Sequence, residues 1–275
     1  MTIIKNRLRE NYSFANINLL GKCNADCYFC IGKDITSELK GKNQLSAHYS
    51  KWKNFGYFLN QCKNNNIKKL YITGQTADGL QYKYLDGLVD YLQDDDFLVG
   101  VRTNGYLAME KIDTIKKMKG GIGYSIHSLK PEINKIIMGR SDLPDWDLII
   151  PLSGKNIRVS IVLNRHNIDE FFPLCKYISK FGNVKYIQIR RISTDTRVQE
   201  LIEDIRLYEK FYEKFSSENE QTGEFFLAQK FELFKKEIVF WRTVETSTNS
   251  LNYFTDGTCS NEYFVVEGYL KNMHR

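Results

Sequence analysis

The chain reads as an α/β protein, a partial (β/α)6 barrel with a small C-terminal β-rich extension. Three observations predict this. Between about residues 13 and 215, short apolar runs alternate six times with helical stretches. Such alternation argues a parallel sheet with helices outside it. Each apolar run stops at a turn rich in glycine, serine, threonine or asparagine, where parallel α/β folds collect their ligand contacts. After Phe215 the alternation gives way to aromatic and β-branched segments parted by turn residues. A closed barrel takes eight units, so six make an open one. Residues 1–215 form the barrel, with a cysteine loop at 22–31; residues 216–275 form the extension, expected to cover the barrel's open side.

Ser13 to Leu20 alternates apolar and polar residues and leads straight into the cysteine loop, so it is a strand that delivers that loop. Residues 46–65 read as a helix with Trp52, Phe55, Phe58, Leu59 and Cys62 on one side. Lys69 to Gly74 is a buried strand stopped by glycine, and Tyr82 to Gln93 a helix. Phe97 to Gly105 is the third strand. Met109 to Lys119 is the next helix, with Gly120 placed as its left-handed C-cap. Gly121 to His127 is the fourth strand, Pro131 opens a helix, and Trp146 to Leu152 is a second helical piece. Ile157 to Asn164 is the fifth strand. Asn167 to Glu170 reads as a capping box that opens a helix to Phe181. Val184 to Ile192 is the sixth strand, followed by a helix from about Thr196 to Phe215. The extension offers strand-like stretches at Glu224 to Phe234, Glu237 to Val244, Leu251 to Phe254 and Tyr263 to Leu270.

The chemistry concentrates at the first strand end. Cys23, Cys27 and Cys30 stand in the spacing C-x3-C-x2-C. Thiolate is a soft ligand suited to iron–sulfur clusters or zinc. A purely electron-transferring [4Fe–4S] cluster usually has four cysteines. Three leave one iron open to a substrate-like ligand. The competing reading is a zinc knuckle, which needs a fourth ligand; His48 and Cys259 are available, but neither stands at knuckle spacing.

Composition bounds the rest. A chain of 275 residues can bury a sizeable core. Its net charge of +6 suits an anionic substrate or an acidic partner protein, and solubility explains it equally. The six cysteines are too locally spaced for a disulfide framework. The first ten residues are charged and lack the apolar core of a signal peptide. No run approaches the about 20 apolar residues of a membrane span. A reducing, cytoplasmic location is expected, and nucleic acid is not expected as a partner.

The cysteine spacing resembles that of radical S-adenosylmethionine (SAM) enzymes. The resemblance covers roughly residues 13–215 and implies one [4Fe–4S] cluster on Cys23, Cys27 and Cys30, with SAM bound to the open iron. One electron then cleaves SAM to a 5′-deoxyadenosyl radical that abstracts hydrogen from a substrate. It also implies an electron donor such as flavodoxin or ferredoxin. Phe29 stands where the family places an aromatic residue near the adenine; loop packing is its plainer role. Gly74, Gln75 and Thr76 stand where many relatives have Gly-Gly-Glu, so only the first glycine matches. Thr103-Asn104-Gly105 resembles the family's third strand end closely. Ser125 is expected at the SAM carboxylate or ribose. Arg158 matches a basic position that pairs with the SAM carboxylate in some relatives, and Asn164 ends the same strand. Alternation turns Arg190 inward with Gln188, and Arg191 outward. His127 replaces a common aspartate and is either a general acid/base, an anion ligand or a structural histidine. Cys259, Gly268 and Met273 weakly resemble a second-cluster run in which the last cysteine is lost, so no auxiliary cluster is expected. Cys259 is either an inert loop thiol, a remnant of that site or a hydrogen donor to a substrate radical.

The leading expectation is an enzyme acting on a small, anionic organic substrate such as a nucleotide or sugar derivative. The alternatives are a peptide-modifying radical SAM enzyme and, from another class, a non-catalytic zinc- or cluster-binding module.

Overall fold

The computed structural model describes residues 14–35, 39, 41–194, 196–225, 228–242 and 250–260. Six parallel strands carry the barrel: β1 (Phe14–Leu19), β2 (Lys69–Gly74), β3 (Leu98–Thr103), β4 (Ile122–Ser125), β5 (Ile157–Val162) and β6 (Val184–Arg190). The helices between them are α1 (Phe55–Asn64), α2 (Leu85–Asp94), α3 (Ile112–Lys117), α4 (Pro131–Met138), α5 (Trp146–Leu152) and α6 (Phe171–Ser179), and α7 (Val198–Glu218) follows β6. The C-terminal strands are β7 (Gly223–Phe225), β8 (Ala228–Leu233), β9 (Lys236–Trp241), β10 (Ser250–Phe254) and β11 (Cys259–Ser260).

The described strands of the extension lie at the sheet's edges. Its strands lengthen the barrel's own sheet at both edges, in the order β11-β10-β1-β2-β3-β4-β5-β6-β9-β8-β7. β10 pairs parallel with β1, and β9 pairs parallel with β6. The sequence places these strands after all six units but says nothing local about which edge each joins. The expected strand at Tyr263 to Leu270 lies outside the described residues, as do Gly268 and Met273.

Each strand turns one face outward onto helices and one inward. On β1, Ala15, Ile17 and Leu19 enter the main apolar core with α1 and α2, while Phe14, Asn16 and Asn18 face the lumen. Helix α2 buries Leu85, Leu88, Val89 and Leu92, a stripe at helical spacing. Each such side chain contributes about 1.5–3 kcal/mol on burial. The lumen face is largely polar: Asn16 Nδ2 donates to Asn252 Oδ1 at 2.8 Å, and Asn18 Nδ2 to the Tyr253 carbonyl at 3.2 Å.

Several local expectations are corrected. The helix expected over residues 46–65 is broken: a short 3-10 turn occupies Tyr49–Lys51, and α1 begins only after Asn54, whose φ is 57°. Gly120 is not a left-handed cap. Helix α3 ends at Met118 in extended conformation, and Gly120 instead passes against the backbone of β3, where an added Cβ would lie 2.6 Å from the Val99 carbonyl carbon. Asn167 makes no side-chain cap. Its Oδ1 accepts from Asn164 N, and its Nδ2 donates to the carbonyls of His127 and Val162, so it ties two strand ends together.

Candidate active site

The strand ends surround a cavity of about 430 Å³. The cysteine loop forms one wall, with Cys23, Cys27, Phe29 and Cys30 all lining it. Backbone bonds seat the loop against α4: Asp26 N donates to the Met138 carbonyl at 2.8 Å and Tyr28 N to that of Ile137 at 3.1 Å. Arg140 Nη1 grips the Asn24 carbonyl at 2.9 Å. On the other flank Arg197, at the start of α7, donates to the carbonyls of Tyr28 (2.9 Å) and Cys30 (2.8 Å). Its Nε meets the fully buried carboxylate of Asp34 at 2.8 Å.

Burial raises the pKa of all three cysteine thiols, that of Cys23 to about 11. Neighbouring thiols disfavour each other's ionisation further. Buried, mutually repelling thiolates need a strongly positive centre to neutralise them, which iron provides. Among the described residues no three His, Cys, Asp or Glu side chains converge on a point where a single ion could sit. A cluster needs no such convergence, because each thiolate binds its own iron. The donor set therefore fits a cluster better than a zinc knuckle.

The second strand end is shaped by Gly74. A Cβ there would fall 1.7 Å from the Ala77 carbonyl oxygen, so only glycine lets the chain fold back so sharply. Gln75 is buried and lines the cavity, and among the described residues its Nε2 has no acceptor. Thr76 stands at φ 84°, a strained position for a β-branched residue, and donates through Oγ1 to the Gly21 carbonyl at 2.8 Å. It braces the cysteine loop and does not line the cavity.

Sequence reasoning missed Asp78, which organises the third strand end. Its Oδ1 accepts from Leu80 N (2.9 Å) and Thr103 Oγ1 (2.8 Å), and its Oδ2 from Asn104 N (2.7 Å). Burial raises its carboxyl pKa, and the three donors pull the other way. Asn104 in turn donates to Asn24 Oδ1 at 2.8 Å and approaches Cys23 Sγ at 3.8 Å. The Thr103-Asn104 turn is thus fixed to the cysteine loop. The capping position of Asp78, two residues before Leu80, was the signal available.

Ser125, Arg158, Ser160, Gln188 and Arg190 line the cavity. Arg191 borders it too, contrary to strict alternation, because it lies past the end of β6; it pairs with Glu209 at 2.6 Å. Arg158 sits four residues below Val162 on the inward face of β5 and is therefore about 13 Å from the strand end. His127 is buried and packs edge-on against Phe29 with ring centroids 5.1 Å apart. Its Nδ1 accepts from Val162 N at 3.1 Å. Burial, and then the charge of Arg190, depress its pKa to about 3. The imidazole is neutral at physiological pH, with its proton on Nε2.

Besides Thr76, two expected site residues do not line the cavity. Asn164 turns back on its own loop: Nδ2 donates to the Val162 carbonyl and Oδ1 accepts from His166 N, both at 2.9 Å. Cys259 lies outside the cavity, on β11 beside Tyr253, and packs against the outer core. Burial, then Asp256, raise its thiol pKa to about 11. A thiol outside the lumen cannot hand a hydrogen atom to a substrate inside it.

Fold and site together define a class: a parallel-barrel enzyme with a three-thiolate loop opening onto its strand-end cavity. The chain belongs to the radical SAM superfamily, whose model matches residues 17–178, more than half of it. Enzymes of this superfamily use a [4Fe–4S] cluster and SAM, and this chain is one of them. It is 24% identical over 224 residues to an S-adenosylmethionine-dependent nucleotide dehydratase of a Thermoplasmatales archaeon (strain ISO4-H5), covering 78% of this chain and 75% of that protein. It is 21% identical over 201 residues to the GTP 3′,8-cyclase of Aquifex aeolicus (strain VF5), covering 70% and 61%. The fold matches Streptococcus suis SuiB bound to S-adenosylmethionine with a TM-score of 0.64 at 13% identity, over 93% of this chain and 61% of SuiB. It matches SuiB bound to its precursor peptide SuiA with a TM-score of 0.60 at 14% identity, over 95% and 62%. The chain thus spans about three fifths of SuiB and of the cyclase. Among the described residues no helix is long and apolar enough to cross a membrane.

Proposed function

We propose that this enzyme abstracts hydrogen from a small anionic organic substrate, nucleotide- or sugar-like, held inside the barrel. The observation that carries this reading is the charge of the lumen. Lys69, Arg102, Arg158, Arg190 and Arg191 line it, Arg191 paired with Glu209, and among the described residues the one carboxylate on its wall is that of Asp78, engaged by three donors. A neutral or cationic substrate would not need such a wall. The two relatives named for acting on nucleotides point the same way.

Cys23, Cys27 and Cys30 hold the cluster, and the bound cluster and SAM supply the radical chemistry. The chain's own residues bind and orient. Phe29 faces the adenine. The backbone at Gly74 and the orphaned amide of Gln75 receive the polar end of SAM. Thr103 and Asn104, fixed by Asp78, and Ser125 border the SAM site at the third and fourth strand ends. Neutral His127 donates from Nε2–H and carries no proton to a base. Arg190 places positive charge at the mouth. Electrons come from a flavodoxin- or ferredoxin-like protein, whose acidic face suits the chain's +6 charge, in a reducing cytoplasm.

The test is substrate-stimulated SAM cleavage by anaerobic, reconstituted enzyme with reductant. Phosphorylated nucleosides and sugars should raise 5′-deoxyadenosine formation and be consumed. Stimulation by peptides alone would replace this reading with a peptide-modifying one.

A further inference from the structure

Two arginines flank Gly123 in the lumen, Arg102 one residue before the end of β3 and Arg158 near the start of β5, well below the mouth. Arg102 of β3, Gly123 of β4 and Arg158 of β5 stand side by side in the sheet register, and all three face the lumen. A Cβ on Gly123 would lie 2.8 Å from Arg158 Nη2 and 3.5 Å from both Arg158 Cζ and Arg102 Cγ. The Arg158 guanidinium therefore lies over this glycine, beside the stem of Arg102, and any larger residue would push it away. The Arg102 guanidinium is held by aromatic faces, 4.8 Å from the Tyr71 ring centroid and 5.1 Å from that of Phe14.

Arg158 is the telling residue. Among the described residues its guanidinium makes no hydrogen bond or ion pair, and its Nε is buried without an acceptor. A buried donor left unsatisfied costs about 1–3 kcal/mol, more when charged. Such a group in a cavity wall waits for a ligand. Lys69 faces the same space at the start of β2. Among the described residues that line the lumen the one carboxylate is Asp78, which stands near the strand tops and is engaged by its donors. Between Arg158 and the mouth, Ser160 and Gln188 are neighbours in the register, and among the described residues Gln188 Oε1 is buried without a donor. The wall therefore offers donors deep down, an open acceptor halfway and the cysteine loop at the top.

We propose that the Arg158 guanidinium, seated over Gly123 beside the stem of Arg102, forms a deep phosphate subsite that fixes the far end of the substrate. Planar guanidinium forks match phosphate oxygens bidentately. The rise from Arg158 to the strand end, about 13 Å, is spanned by a phosphorylated ligand of nucleotide size with its reacting carbon at the mouth. Gln188 Oε1 then accepts from a hydroxyl or amino group midway. The proposal rests on the reading of an anionic small-molecule substrate and adds which end of it enters first.

The experiment measures binding, so it does not depend on turnover. Inorganic pyrophosphate is titrated by calorimetry into reconstituted, cluster-loaded enzyme, and SAM is titrated separately. Wild-type enzyme should bind pyrophosphate saturably. Arg158→Gln should weaken it at least tenfold, the effect of losing a charge-assisted pair worth about 1.5–3 kcal/mol. Gly123→Ala should weaken it as well, because the added methyl occupies the space under the guanidinium; this variant also serves if Arg158→Gln fails to fold. SAM affinity should shift less than twofold in both. Unchanged pyrophosphate affinity in both variants, or none in wild type, overturns the subsite. An equal loss of SAM affinity overturns it too and returns Arg158 to the SAM carboxylate. Failure of the wider reading looks different: pyrophosphate would bind as described while no phosphorylated compound stimulates SAM cleavage.

Discussion

Arg197→Ala tests how the cysteine loop is held. Arg197 is 16% exposed, and its partner Asp34 is fully buried. The side chain makes four charge-assisted contacts, one to Asp34, one to the more exposed Glu200 at 3.3 Å and two to the carbonyls of Tyr28 and Cys30. Removing one partner of a buried ion pair costs about 3–5 kcal/mol, because the other charge is left uncompensated. Asp34 would keep Thr194 Oγ1 at 2.7 Å and Thr196 N at 3.3 Å, which places the cost near the low end, about 3 kcal/mol. Asp34→Asn alone should cost a similar amount, and the double variant much less than the sum. Anaerobic urea denaturation of the four proteins gives the cycle, with iron content measured alongside. The single Arg197 variant should also lose iron, since the carbonyls on either side of Phe29 come loose together. Strict additivity, or an Arg197→Ala cost under about 0.5 kcal/mol, would refute the clamp.

Two further predictions concern groups beside the site. The depressed pKa of His127, about 3 against 6.5 unfolded, means that the unfolded chain takes up its proton first as pH falls. Stability is therefore intact above about pH 7 and lost below, by about 2 kcal/mol at about pH 5; His127→Asn should flatten that part of the pH–stability profile, and an unchanged slope would place the imidazole in water. Asp78→Ala should cost about 2–4 kcal/mol, because it orphans the buried N–H groups of Leu80 and Asn104. It should also weaken SAM binding through the Thr103-Asn104 turn, and a stable variant with native SAM affinity would remove Asp78 from its positioning role.

Much of the barrel is legible in the sequence because each strand is an apolar run and each helix an amphipathic one. Trp146–Leu152 matches its expected bounds. Where reading failed, the cause is interaction between distant segments. Nothing local tells that β10 joins β1 or that β9 joins β6, more than 200 and about 50 residues away. Asn16 and Asn18 show the period of two that marks a strand, but the same pattern serves a solvent-facing edge and a polar lumen alike. The three cysteines were legible from spacing alone. Their clamp was not: Arg197 and Asp34 stand 163 residues apart and meet only in the fold. Gly123 looks ordinary in sequence and Arg158 stands out there only as an expected SAM-carboxylate partner; their relation is set by strand register. Asn164 and Cys259 misled because being near a strand end does not fix which way a side chain turns.

The central claim is that Cys23, Cys27 and Cys30 carry one SAM-cleaving [4Fe–4S] cluster, and iron, sulfide and 5′-deoxyadenosine measured on the same anaerobic preparation test it most directly. The account predicts about four irons and four sulfides per chain, with 5′-deoxyadenosine formed from SAM on reduction, and both lost in each single cysteine-to-alanine variant. One zinc per chain without sulfide, or iron retained after removal of any of the three cysteines, would contradict it.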